Sequence, residues 1–198
     1  MTGKIFENMD FSGGEFSDAV WRNCEFTNCR FRGAEMSGLE TVSCHFTGCD
    51  FSLAKMNGSR HFRTAFVNCQ FRHGSLFSAE WQDCKGTGSD FQGADLSGLL
   101  LRGGMYDYAV FDNCDLRKMD LSGITFRYGN FTEANLEKTR LCGCDLSHAV
   151  LRGAKLFYTD LREAKVEGTD LKSACLKGTK IDLSQAVRLA EQLGCVLG

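Results

Sequence analysis

The chain repeats itself every five residues. Starting at Phe6 and stepping by five, the residues run Phe6, Phe11, Phe16, Trp21, Phe26, Phe31, Met36 and so on to Leu161, Val166, Leu171, Leu176 and Ile181. Of these 36 positions only Thr41, His61 and Gly86 are not large and apolar. A period of five suits neither regular structure. On a helix it scatters the apolar residues round the axis, and on a flat strand it sends alternate ones to opposite faces. The apolar residues converge only if the chain turns a corner in every repeat, so each pentapeptide forms one side of a coil.

The slots around each apolar centre agree. Two residues before it stands a small residue, as in Ala34, Cys49, Ala54, Cys69, Ala94, Cys114 and Ala134. Period two in an extended piece points this slot inward beside the centre, where bulk does not fit. Two residues after the centre fall 14 of the 22 glycines, with Asn23, Asn28, Asn68 and Asn113. These residue types tolerate the positive φ that a corner demands. Proline is absent, as it must be where backbone N–H groups link stacked coils. At a lag of twenty the centres read Phe11, Phe31, Phe51, Phe71, Phe91, Phe111 and Phe131, continued by Leu151 and Leu171. That column favours four sides per turn. About nine coils at roughly 4.8 Å each predict a rod about 43 Å long.

Composition excludes several function classes. With 43% hydrophobic and 24% charged residues the chain is not of the disordered type. Its longest apolar patch, around Leu99, Leu100 and Leu101, is too short to span a bilayer, and the N-terminal residues lack an apolar leader. These features predict a cytoplasmic protein with no membrane contact. A net charge of −2 argues against a direct nucleic-acid binder. Eight of the eleven cysteines (24, 29, 44, 49, 69, 84, 114 and 144) occupy the small inward slot, and period five generates their C-x4-C spacings automatically. They read as structural and reduced, not as metal ligands. Cys142 and Cys175 face outward. Of the four histidines His45, His73 and His148 sit in outward slots, and a filled rod offers no pocket in which a triad could converge. No phosphate-binding loop follows a strand. The expectation is a non-enzymatic protein with no cofactor and no metal.

After Ile181 the period changes. Ala186, Val187, Leu189, Ala190 and Leu193 have helical spacing, with Ser184 as the expected N-cap and Gly194 as the residue that ends the helix. The chain thus divides into a coil region, 1–183, and a helix with tail, 184–198. A helix this short needs a surface to pack on, and a solenoid end needs a cover. Either the helix caps its own rod, or it dimerises through Val187, Leu189, Ala190, Leu193, Val196 and Leu197; the second is the stronger expectation.

Runs such as EANLE, GADLSG, CDLSHAVLRGAKL and TDLREAKVEGTDL resemble the A(D/N)Lxx motif of the pentapeptide-repeat family over about residues 4 to 183. That resemblance implies an all-β fold, a right-handed quadrilateral β-helix, followed here by the short C-terminal α-helix. The ending from Ile181 to Gly198 is similar to that of the Qnr and MfpA type members. They protect DNA gyrase from quinolones and dimerise through this segment. The resemblance implies a homodimeric protein that binds DNA gyrase or topoisomerase IV and relieves a quinolone or natural poison, with partial DNA mimicry as one mechanism. The alternative is a generic scaffold or interaction module. Gram-negative Qnr proteins carry inserted loops, whereas the phase here never slips.

Two sets of residues are candidates for partner contact. The first is acidic: Asp10, Asp50 and Asp90 fall in one outward column and Glu15, Glu35, Asp95 and Asp115 in the next. Residues 1–120 carry a net −4, which leaves a local acidic strip as the only form of mimicry open to a nearly neutral chain. The second set is the breaks in the repeat at Thr41, His61 and Gly86. Thr41 and His61 share one column, where the wall is expected to bulge or repack, with His61 and Phe62 available to a partner. Tolerated imperfection is the plainer reading of these breaks.

Overall fold

The structure, a computed structural model, describes residues 1–196. Its regular strands are three residues long: β1 (Ile5–Glu7), β2 (Val20–Arg22), β3 (Glu25–Thr27), β4 (Glu40–Val42), β5 (His45–Thr47), β6 (Arg60–Phe62), β7 (Ala65–Val67), β8 (Glu80–Gln82) and β9 (Leu100–Arg102). They stack as two parallel sheets, β1-β3-β5-β7 and β2-β4-β6-β8-β9. Every register is twenty residues, as in Phe6↔Phe26 and Trp21↔Thr41. Isolated bridges from Asp10↔Arg30 to Asp160↔Lys180 keep that interval on all four sides. The chain is a four-sided β-solenoid with one coil per twenty residues.

The centres fill the axis. Phe31 and Phe51 lie 4.9 Å apart with rings 4° from parallel, and Phe71, Phe91 and Phe111 continue the stack at 4.9 Å per step. Each is essentially inaccessible to solvent. Backbone pairing at one strand spacing therefore brings the rings to stacking distance, and burial of each ring adds a few kcal/mol. All eight inward-slot cysteines are buried and free. They do more than fill space: Cys144 Sγ donates to the Leu121 carbonyl at 2.9 Å, the same bond that Ser89 gives Phe66 and Thr139 gives Leu116.

Corners form where the sequence places them. Gly33, Asn28 and Asn113 have φ of +63°, +51° and +57°. Where the outward residue just before a centre is acidic it can hold the turn that follows, its carboxylate accepting an amide two residues on, as Asp50 does from Ser52 (2.8 Å) and Asp95 from Ser97 (3.0 Å).

The rod has one interruption within its length. No bridge joins Asp95 to Asp115 or Leu100 to Asp120, although both columns are paired above and below that step. Near the end, Leu171–Ser173 form a 3-10 turn, and α1 (Leu183–Gln192) lies across the last coil. The N-cap is Asp182 and not the expected Ser184. The helix starts two residues earlier than that cap would place it, and the Asp182 carboxylate accepts the Gln185 amide while the Gln185 side chain accepts that of Asp182, both at 3.1 Å. Gly194, at φ +83°, ends the helix as expected.

Candidate functional site

The break at Thr41 and His61 produces no bulge. β4, β6 and β8 pair in register straight through it. The polar side chains turn inward and satisfy one another: Thr41 Oγ1 lies 2.7 Å from His61 Nδ1 and 2.8 Å from Thr64 Oγ1, and Ser59 Oγ lies 2.9 Å from His61 Nε2. His61 is fully buried, and burial pulls its pKa down to about 3, so the ring is neutral. A ring in the core touches no partner, which removes His61 from the contact candidates. Phe62, on the outer side of the same strand, is half-exposed.

At the third break, Gly86 is followed one coil later by Tyr106, whose ring fills the vacated column and is completely buried. The repeat is restored by exchange of bulk between neighbouring coils.

The acidic columns are interleaved with cations. Arg30 stands between Asp10 and Asp50 in one column, bridged to both through the backbone and ion-paired to neither. Glu35 accepts from Ser37 at 2.7 Å and from Lys55 at 2.9 Å, and these bonds hold its pKa below the usual carboxylate value. Asp90 meets Arg72 at 2.6 Å, and Asp115 takes a two-pronged grip from Arg117 that lowers its pKa. Among the described residues Asp10, Glu15, Asp50 and Asp95 have no cation within ion-pair distance. The negative surface is therefore patchy, and any attraction it exerts is short-ranged and screened by salt.

The helix has two faces. Toward the rod, Gln185 donates to the carbonyls of Leu161 (2.7 Å) and Ala164 (2.8 Å). Gln192 accepts from the Leu171 amide (2.9 Å) and donates to the Thr169 carbonyl (2.7 Å). These two amides replace the next coil and satisfy the open strand edge. Leu189 packs on the core between them. On the other face Leu183 and Leu193 are 81% and 65% exposed, with Val187 and Ala190 half-buried. Val196 is exposed, and Leu197 lies outside the described residues.

One surface feature escaped the reading by centres. Tyr108, Tyr128 and His148 occupy the corner slot of consecutive coils, and their rings stack outside the rod at 4.9 and 4.8 Å. The lag of twenty, applied to the corner slot, brings them into line.

Among the described residues no helix is long and apolar enough to cross a membrane. A family model for pentapeptide repeats matches in eight copies, over residues 5–39, 66–103, 107–141, 134–172 and 149–186. Among solved structures, a trypsin-treated variant of QnrB1, a plasmid-mediated fluoroquinolone resistance protein, is 26% identical over 99% of each chain, with a TM-score of 0.71. Full-length QnrB1 is 24% identical over 98% of this chain and 99% of its own, at 0.64. HetL, a pentapeptide repeat protein involved in heterocyst differentiation regulation in the cyanobacterium Nostoc sp. strain PCC 7120, is 25% identical over 90% and 87%, at 0.52. No curated protein sequence matches the chain.

Proposed function

The chain belongs to the pentapeptide-repeat family, and on that premise we propose that it is a non-catalytic rod of the Qnr type. In this reading it binds DNA gyrase or topoisomerase IV as a homodimer in the cytoplasm and relieves the enzyme of a quinolone or natural poison. The observation that carries the reading is the likeness to the QnrB1 variant along essentially the whole of both chains. The helix supports it: having capped its own rod through Gln185 and Gln192, it still presents Leu183, Val187 and Leu193 outward, a stripe suited to a second copy. Contact with the enzyme falls to the cation-free acids Asp10, Glu15, Asp50 and Asp95, with Phe62, on the side formed by β4, β6 and β8, as a further candidate on another face. Any mimicry of DNA is local, because Lys55, Arg72 and Arg117 neutralise Glu35, Asp90 and Asp115.

A scaffold without a topoisomerase role is the second reading, favoured by the likeness to HetL, a member with a regulatory role. Co-sedimentation with purified gyrase separates them. A salt-sensitive complex supports the first reading; no complex at low ionic strength supports the scaffold.

A further inference from the structure

The rod is held together unequally at one level. On the two sides formed by residues 93–103 and 113–123, the amides of Leu96, Gly98, Gly103, Asp115 and Asp120 bond to no group among the described residues. Their counterparts, Leu76, Ser78 and Asp83 one coil above and Asn135 and Arg140 one coil below, are paired at 2.8 to 2.9 Å. The other two sides stay closed at this level: Phe91 donates to the Val110 carbonyl, and Tyr106 and Tyr108 donate to the Thr125 and Arg127 carbonyls, all at 2.8 Å. The open step coincides with the one place where two residues larger than threonine meet in the small inward slot, Leu99 over Met119. In that column the coils on either side carry Ala79 and Thr139. One large residue is tolerated, since Leu39 stands over Ser59 and that step is paired; two together hold the coils beyond hydrogen-bonding reach.

The side chains divide in the same way. On the closed sides they cross the step: Arg127 Nε donates to the Asp107 carboxylate at 2.8 Å, and the ring of Tyr108 stacks on that of Tyr128 at 4.9 Å, 2° from parallel. On the open sides no ion pair among the described residues crosses it. Arg102 reaches up to Glu80, Asp120 meets Arg140 from the coil below, and Arg117 turns to Asp115 in its own coil. A cleft of about 530 Å³ runs between Gly98–Gly103 and Arg117–Asp120.

We propose that the rod is jointed at this step. The coils above it and the coils below it move as two rigid units that pivot about the corner carrying Tyr108 and Tyr128, while the opposite corner, at Gly98 and Lys118, widens and narrows. Elsewhere the rod is stiff, because coils bonded on four sides cannot bend without breaking several bonds at once. Here a bend toward the Tyr108 corner breaks none on the open sides, and the pivot keeps its bonds and its stacked rings. Asp10, Glu15, Asp50 and Asp95 stand above the joint and α1 stands below it. The joint therefore sets the angle between the acidic surface and the end that exposes Leu183 and Leu193. The motion belongs to the single chain, so its failure leaves the topoisomerase reading untouched.

The test measures two distances across the joint in the full chain, kept reduced. Nitroxides are carried by genetically encoded amino acids, so the native cysteines stay free, and labelled chains are diluted with unlabelled ones. Arg30 and Val150 lie in a column that is bridged at every step, whereas Arg60 and Lys180 lie in one broken only between Leu100 and Asp120. Both pairs span six coil steps, roughly 29 Å. Electron–electron double resonance should give a narrow distribution for Arg30 and Val150. For Arg60 and Lys180 it should give a longer mean and a width at least about twice as large. The amides of Leu96, Gly98, Gly103, Asp115 and Asp120 should exchange with deuterium much faster than those of Leu76 and Arg140. The variant L99A/M119T, which copies Ala79 and Thr139, should pair this step and narrow the second distribution to the width of the first. Should that variant misfold, the two distributions of the native protein decide alone. Equal widths in the native protein overturn the proposal, and so does a second distance that is longer but equally narrow, which is a fixed kink. Slow exchange along the open sides, or a folded variant as broad as the native protein, overturns it too.

Discussion

The ring of Tyr106 occupies the room that a side chain at residue 86 would need. A Cβ on Gly86 would lie 2.5 Å from Tyr106 Cδ1 and 2.8 Å from Cε1. The missing centre and the oversized ring one coil on are thus a single packing unit. Gly86→Ala should destabilise the rod by about 1 to 3 kcal/mol through overpacking. Tyr106→Phe should be neutral or stabilising by about 1 kcal/mol, because it removes a buried hydroxyl that has no partner. Urea melts of the two variants check both signs; a stabilised Gly86→Ala would mean that the column is not filled from below.

His61 gives the fold a pH dependence. It is a base whose folded pKa, about 3, lies below its ordinary 6.5. Between those values the unfolded chain takes up a proton that the folded chain refuses. Stability from this site is complete above about pH 6.5 and falls as pH drops, by ~1.4 kcal/mol per unit. The ring meets Thr41, Ser59, Phe66 and Trp81, none of them charged. Melts at pH 6.5, 5.5 and 5.0 should therefore show a decline that His61→Leu abolishes, although that variant starts less stable because it strands Thr41 and Ser59. An equal decline in both proteins would assign the effect to other groups.

Capping and dimerisation should separate by mutation. Gln185→Ala removes both bonds to the Leu161 and Ala164 carbonyls and should cost about 1 to 3 kcal/mol by leaving buried groups unpaired. Leu183→Asp and Leu193→Asp change only exposed positions and should leave the melt unchanged while shifting light scattering from dimer to monomer. Were both exposed variants to remain dimeric, the interface would lie on a rod face.

The cysteines should be indifferent to redox conditions. The eight in the inward slot are buried and unbridged, and burial raises the thiols of Cys84, Cys114 and Cys144 to about 12, so they remain protonated and unreactive. Thermal melts with and without reductant should coincide. Cys144→Ser should keep the bond to the Leu121 carbonyl, as Ser89 does to Phe66, and cost less than Cys144→Ala.

Much of this architecture can be read from the centres alone, because a five-residue apolar period has one geometric solution and a lag of twenty fixes the number of sides. Position 61 shows where such a reading stops. A histidine at a centre can turn out to a partner or in to the core, and what decides is Ser59, two residues away, together with Thr41, twenty residues away, which meets it only once the coils stack. The acidic columns fail for a similar reason: Asp90 looks free in sequence, yet Arg72 reaches it across coils. The interruption between Leu100 and Asp120 was legible in principle. Leu99 and Met119 break the small-residue rule as plainly as Gly86 breaks the apolar one, but they come together only when Leu99 is placed over Met119.

The most direct test of the functional account is a gyrase supercoiling assay poisoned by a fluoroquinolone, with the protein titrated in. The account predicts that supercoiling returns as protein is added, that rising salt weakens the rescue, and that reversing Asp10, Glu15, Asp50 and Asp95 to Lys diminishes it. Because Asp10, Asp50 and Asp95 also hold turns, the reversed protein must first be shown by circular dichroism to keep its fold. Failure of the native protein either to bind gyrase or to restore supercoiling, with the fluoroquinolone and with a peptide-type poison alike, would contradict the account and leave the scaffold reading in its place.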